Sequence, residues 1–141
     1  MAGKENKVHS TNYIDTFIEI VDDCKVPIGT TPPDKTPRTI ASIQFGLISK
    51  NPYEFTSDDI IFYSFAEKNS VQDEERERVR QEFFTKGQPC MRSSPLCKTY
   101  GWGVHSDGNG RLALYARESG EYLRLSNDPG LRHLKAMKPK K

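Results

Sequence analysis

The tetrapeptide Asp107-Gly108-Asn109-Gly110 limits what this chain can fold into more than any other feature. It is a strong turn signal with β-like runs on both sides, so the flanking residues read as an antiparallel hairpin. With Ser106–Gly110 as the loop, His105 lies opposite Arg111, Val104 opposite Leu112 and Trp102 opposite Leu114. Gly103 then meets Ala113, and Gly101 meets Tyr115. One face is apolar and belongs to the core. The other is small in the middle, with His105, Arg111 and Tyr115 around it. Small residues leave volume above the backbone, to be filled by a packed helix, an aromatic side chain or a ligand. A two-residue Asn109-Gly110 turn would shift the register and change these pairings.

The rest of the chain supplies elements to pack on that hairpin. Tyr13–Val21 alternates with β-branched residues on one side and reads as a strand. Pro27–Pro37 is too rich in proline for regular pairing and reads as a connector, or as a flap over a site. Thr39–Ser49 is helical: Ile40, Ile43, Leu47 and Ile48 share one face, Thr39 can cap the start and Asn51-Pro52 ends it. Thr56 with Asp59 matches a helix-start signal, yet Ile60–Ala66 alternates and its residue types favour β. We read it as a strand. Ser70–Lys86 is a helix with Ser70 as N-cap and Gly87 at its end; Val71, Val79 and Phe83 form a buried stripe and the charge run a solvated face. Glu118–Asn127 reads as a short helix with Tyr122 and Leu125 inward, Asp128–Gly130 as a turn and Leu131–Met137 as a last strand. The expected fold is α+β: a mostly antiparallel sheet of four or five strands with two or three helices on one face.

The 141 residues suit one domain. Residues 1–11 read as a mobile arm, 12–138 as the globular domain and 139–141 as a basic tail. Hydrophobic content is 35% and charged content 28%, which excludes a disordered chain. A net charge of +2 falls short of a dedicated nucleic-acid module. No apolar run is long enough to span a membrane, and the polar N-terminus has no signal-peptide core. Cys24, Cys90 and Cys97 are odd in number with no Cys-x-x-Cys, which points to a reducing compartment: the cytoplasm, with the nucleus as alternative.

The side chains able to do chemistry gather in Gln88–Tyr115. Arg92 is a planar fork for carboxylate or phosphate. Ser93 and Ser94 offer hydroxyls and Lys98 a point charge. Together they suit an anion; alternatively they cross-link the loop, with Arg92 paired to an acid such as Glu118. Cys90 and His105 suit a thiolate–imidazole pair, although a free cysteine is more often a small buried hydrophobe. Cys24, Cys90, Cys97 and His105 have the atoms for zinc, but not a common zinc spacing. The DGNG loop lacks an acid at Arg111, which excludes a calcium loop. Tyr53, Tyr63, Tyr100 and Trp102 suit base stacking or a core.

These residues lead to a pocket beside the hairpin that binds a small anionic or polar ligand through Arg92, Ser94, Lys98, Trp102 and Tyr115. An enzyme reading of the same pocket needs neither metal nor cofactor. His105 is then the general base, Arg92 the clamp and Tyr100 or Tyr115 the proton donor, with Cys90 as a further catalytic candidate. The alternative is an interaction module for nucleic acid or protein, using the basic tail and exposed aromatics.

Several strings together resemble one family. They are Asp15-Thr16-Phe17-Ile18, Asn51-Pro52-Tyr53, Thr56–Asp59, Phe83-Phe84, Lys86-Gly87-Gln88-Pro89-Cys90, Arg92-Ser93-Ser94-Pro95-Leu96, Tyr100–His105 and Ala113-Leu114-Tyr115. The family is a domain-of-unknown-function family of small stand-alone bacterial and fungal proteins. The resemblance covers Tyr13 to Lys138, and Lys86–His105 is its most specific part. Cys97 departs from the pattern. The resemblance implies a relationship and no particular activity.

Overall fold

The computed structural model describes residues 8–138. Strand β1, Thr16–Glu19, runs through the middle of the protein, and its Phe17 and Ile18 are fully buried. It is the central piece of the alternating Tyr13–Val21 stretch. Helix α1, Ile40–Lys50, starts where expected: Thr39 Oγ1 accepts the Ser42 N–H at 3.1 Å, and Ile43 and Ile48 are buried.

The next segment corrects the strand expectation. Residues 60–66 lie inside helix α2, Ser57–Lys68. Thr56 Oγ1 accepts the Asp59 N–H, and the Asp59 carboxylate accepts the Thr56 N–H, a reciprocal capping box. Local capping therefore outweighs β-propensity. The apparent alternation has a packing cause. Ile60 and Ile61 pack into the main core, while Phe62, Tyr63, Phe65 and Ala66 enter a second cluster with Val79, Phe83 and Phe84. Burial on two sides erases the 3.6-residue signature.

The helix expected over Ser70–Lys86 is shorter. A 3₁₀ turn at Asp73–Glu75 leads into α3, Arg76–Phe83, which closes at Phe84 rather than Gly87. Ser70 does not cap it. Its φ is 53°, and the Ser70 and Val71 N–H groups donate to Glu67 and Ala66 carbonyls, so these residues finish α2. Val71, Val79 and Phe83 do pack together on the second cluster.

A 3₁₀ turn at Met91–Ser93 precedes α4, Pro95–Lys98, whose N-cap is Ser94. The hairpin strands are β2, Trp102–Ser106, and β3, Leu112–Ala116. Helix α5, Gly120–Ser126, is capped by Ser119, and β4 is Arg132–Lys135. The four strands form one mixed sheet in the order β3-β2-β1-β4, with β4 parallel to β1 and the other pairs antiparallel. The class is α+β with a mostly antiparallel sheet, as expected.

The hairpin register differs by two residues from the sequence reading. His105 pairs with Ala113, Val104 with Leu114, Gly103 with Tyr115 and Trp102 with Ala116. Asp107 is the reason. Its Oδ1 accepts the N–H groups of Asn109 and Arg111, each at 2.9 Å, and its own N–H donates to the Arg111 carbonyl. The loop is thus 107–111, with Gly110 at φ 77°. A slip of two preserves which residues share a face. Ile18, Val104 and Leu112 turn to the main core, where α1 packs on β3 and α4 on β2. Phe17, Gly103, His105, Ala113 and Tyr115 lie on the other face, which α5 partly covers through Tyr122.

Residues 8–11 correct the arm expectation where they are described. Asp58, at the start of α2, accepts hydrogen bonds from Ser10 Oγ, Thr11 N–H and Thr11 Oγ1. Thr11 is buried, and His9 N–H donates to the Phe84 carbonyl. The remainder of the arm and the 139–141 tail lie outside the described residues.

Candidate functional site

The empty volume foreseen above the small residues of the hairpin is filled. A Cβ on Gly103 would stand 2.7 Å from Phe17 Cζ and 2.7 Å from Tyr122 Cε2. Those two rings meet edge to face with centroids 5.0 Å apart, and Tyr122 Oη accepts the Ile20 N–H at 2.9 Å. The aromatic-filler alternative holds at this end of the face.

The polar end is built by a residue that comes from far away in sequence. After α1 the chain turns, and Tyr53 takes a left-handed conformation, φ 61°. Its N–H donates to the Leu112 carbonyl at 2.8 Å, and the Leu112 N–H donates to the Phe55 carbonyl at 2.9 Å. The segment thereby pairs with the outer edge of β3 and covers it. This carries the Tyr53 phenol over the sheet face. Its oxygen lies 2.8 Å from His105 Nδ1 and 2.7 Å from the Tyr115 hydroxyl. The Tyr53 and His105 rings meet edge to face at 5.6 Å.

Burial, then the hydrogen bond to Tyr115, pushes the Tyr53 phenol well above its ordinary pKa. Burial also lowers the His105 imidazole, against the opposing pull of Asp107 and Asp15. At neutral pH the imidazole is therefore uncharged and the phenol keeps its proton. Two proton arrangements satisfy the chain. In one, Tyr115 donates to Tyr53 and Tyr53 to Nδ1, which leaves Nε2–H outward. In the other, Nδ1–H donates to Tyr53 and Tyr53 to Tyr115, which leaves a lone pair on Nε2. Arg124 on α5 is close enough to lower both groups, is exposed, and has no ion pair among the described residues.

The other candidates are placed elsewhere. Arg92 Nε donates to the Lys135 carbonyl at 2.7 Å, and the Arg92 carbonyl accepts the Met137 N–H. Arg92 fastens the chain beyond β4, neither clamping beside His105 nor pairing with Glu118, whose carboxylate accepts the Gly29 N–H. Ser94 is a buried cap that donates to Gln44 Oε1. Lys98 is half-buried in the last turn of α4. Cys90 Sγ lies 3.4 Å from the Tyr13 hydroxyl, while His105 Nδ1 is engaged by Tyr53, so the thiol–imidazole pair is not formed. Trp102 packs on Phe45 with centroids 5.3 Å apart and donates to the Thr30 carbonyl. Tyr100 is packed against the main core and its carbonyl accepts the Thr30 N–H. The proline-rich connector is thus laid along these two aromatics. Tyr63 packs on Phe55 and Phe62, so of the four aromatics weighed for base stacking three belong to packing and Tyr53 to the site. Among the described residues no His, Cys, Asp and Glu cluster could hold a metal ion. His105 and Tyr115 are therefore brought together, but through Tyr53 and beside Arg124, neither of which the sequence marked for this role.

The architecture is that of an α+β protein whose mixed sheet carries an imidazole–phenol–phenol chain, His105–Tyr53–Tyr115, on its more open face. By its sequence the chain belongs to a family of unknown function, DUF6157, whose model matches residues 8–141. No curated protein and no solved structure matches the chain. No helix among the described residues is long and apolar enough to cross a membrane.

Proposed function

We propose that the protein binds a small anionic or polar ligand at the hairpin face, and that His105 serves there as an acid–base group. The Tyr53 hydroxyl, bridging His105 Nδ1 and Tyr115, is the observation that carries this reading. A neutral imidazole held at Nδ1 is aimed by its partner and free to exchange a proton at Nε2. In the arrangement with the lone pair on Nε2, proton uptake there is balanced when the Nδ1 proton passes to Tyr53, the Tyr53 proton to Tyr115 and the Tyr115 proton to solvent or ligand, so the relay needs no rearrangement of heavy atoms. Arg124 supplies the cation that the sequence reading assigned to Arg92. Backbone strain supports the assignment. A tyrosine at φ 61° costs about 1–3 kcal/mol, and such outliers gather at functional sites. The three free cysteines accord with a reducing compartment, cytoplasmic or nuclear.

The test is a thermal-shift screen of carboxylates and phosphates against the full chain. A ligand at one hundred times its Kd adds about 2.7 kcal/mol of stability. Arg124→Ala and His105→Gln are expected to remove the shift while each variant still unfolds cooperatively. A shift that survives both substitutions places the ligand elsewhere. If turnover is found, its rate is expected to fall as His105 protonates below the ordinary imidazole pKa; a flat profile removes His105 as base.

A further inference from the structure

A second site lies on the helical side of the molecule. α1, α2, the end of α3 and the 88–95 loop enclose a groove of about 380 Å³, within the range of small-molecule pockets. Its apolar lining comes from Ile40, Ile61, Phe65, Phe83, Pro89 and Pro95. The polar groups are fewer and mostly satisfied. Ser64 Oγ donates to the Ile60 carbonyl, and Gln88 Nε2 to the Phe83 carbonyl.

Gln44 is different. It lines the groove and is only 5% exposed. Ser94 Oγ accepts the Leu96 N–H as a helix cap and gives its own proton to Gln44 Oε1 at 2.7 Å. That bond fixes the carboxamide. Its Nε2 has no hydrogen-bond partner among the described residues. The carboxamide is held almost wholly inside the protein, yet its Nε2 is not sealed from solvent, so it is free to donate to a guest that brings an acceptor.

The charges select further. Lys68 stands among the lining residues, and no acidic side chain of the described residues lines the groove. Lys68 Nζ also donates to the Arg38 carbonyl at 2.8 Å and keeps its charge; an ammonium guest would be repelled by it and find no acceptor in Gln44 Nε2, whereas a carboxylate can accept from both. We propose that this groove binds a small amphipathic carboxylate, with its acceptor oxygen on Gln44 Nε2 and its apolar body over Ile61, Phe65 and Phe83. This site is separate from His105 and stands whether or not the hairpin face binds anything.

Cys90 lines the same groove and reports on it. Cys97 is buried and its thiol is pushed up to about 12, so it stays silent to alkylation. Cys24→Ser removes the remaining partly exposed thiol. In that background, iodoacetamide modification of Cys90 is followed by mass spectrometry with octanoate or octylammonium present. Octanoate is expected to slow modification in a saturable way, and octylammonium not to. Ile61→Trp, which fills the groove, is expected to abolish octanoate protection. Gln44→Leu is expected to weaken it about tenfold or more, the effect of losing a hydrogen bond to a charged group. Absence of octanoate protection overturns the proposal. So does equal protection by octylammonium, or protection unchanged in Ile61→Trp. Loss of His105 or Arg124 is expected to leave octanoate protection intact.

Discussion

Gly103→Ala separates a filled sheet face from an open one. Glycine inside a strand is ordinarily a weak point, and alanine there gains up to about 1 kcal/mol through the unfolded chain. An open face would give that sign. Here the added methyl would sit 2.7 Å from both Phe17 Cζ and Tyr122 Cε2, and 2.9 Å from Phe17 Cε1. Neither ring is free to yield. Phe17 is fully buried, and Tyr122 is tied by its hydroxyl to Ile20. Overpacking of this kind costs about 1–3 kcal/mol. With about 2.1 cal/mol/K of unfolding entropy per residue, a 141-residue chain loses roughly 3 °C of Tm per kcal/mol. The expected drop is therefore roughly 3–10 °C by calorimetry, with cooperativity retained. Gly120→Ala is the control, because nothing lies within 4 Å of its Cβ position; its Tm is expected to stay within about 2 °C. A Gly103→Ala protein as stable as the wild type would refute the packing of Phe17 and Tyr122 over the hairpin.

Four further outcomes are expected. Thr56→Ala loses one arm of the capping box and should cost about 1 kcal/mol in a urea titration, whereas Thr56→Ser should cost little. Tyr53→Phe removes the hydroxyl between His105 and Tyr115 and should cost about 1–3 kcal/mol, with the sheet intact by circular dichroism. Because the folded-state pKa of His105 lies below its unfolded value, its contribution to stability is full above about pH 6.5 and declines as pH falls through the lower folded value. The Tm of His105→Gln should therefore fall less than that of the wild type between pH 7 and pH 5. Cys97 should remain unmodified by iodoacetamide in the native protein and react only on unfolding; native modification would contradict its burial.

What the sequence revealed and what it hid follow from the range of each interaction. α1 was legible because its cap and its apolar face are both local, with Thr39 at one end and Ile40, Ile43, Leu47 and Ile48 along one side. The faces of the hairpin were legible because the Asp107–Gly110 turn fixes them, although the two-residue slip was not: it depends on how many backbone groups Asp107 Oδ1 collects. α2 was misread because it is clasped between two hydrophobic clusters, so burial no longer follows one stripe. The site was half legible. His105 and Tyr115 are neighbours on one sheet face, which alternation reveals. Tyr53 reaches them from 52 residues before His105 and 62 before Tyr115, by pairing with the β3 edge, and no local pattern announces that. Arg92 was the natural cation by composition, yet its side chain is used to hold the Lys135 carbonyl.

The most direct test of the central claim is the nitrogen NMR of His105, with Tyr53→Phe as the comparison. The account predicts a neutral imidazole at pH 7, with one protonated and one bare ring nitrogen, a pKa below the ordinary 6.5 and an Nδ1 signal that moves when the Tyr53 hydroxyl is removed. An imidazolium at pH 7, or an Nδ1 signal indifferent to Tyr53, would contradict it.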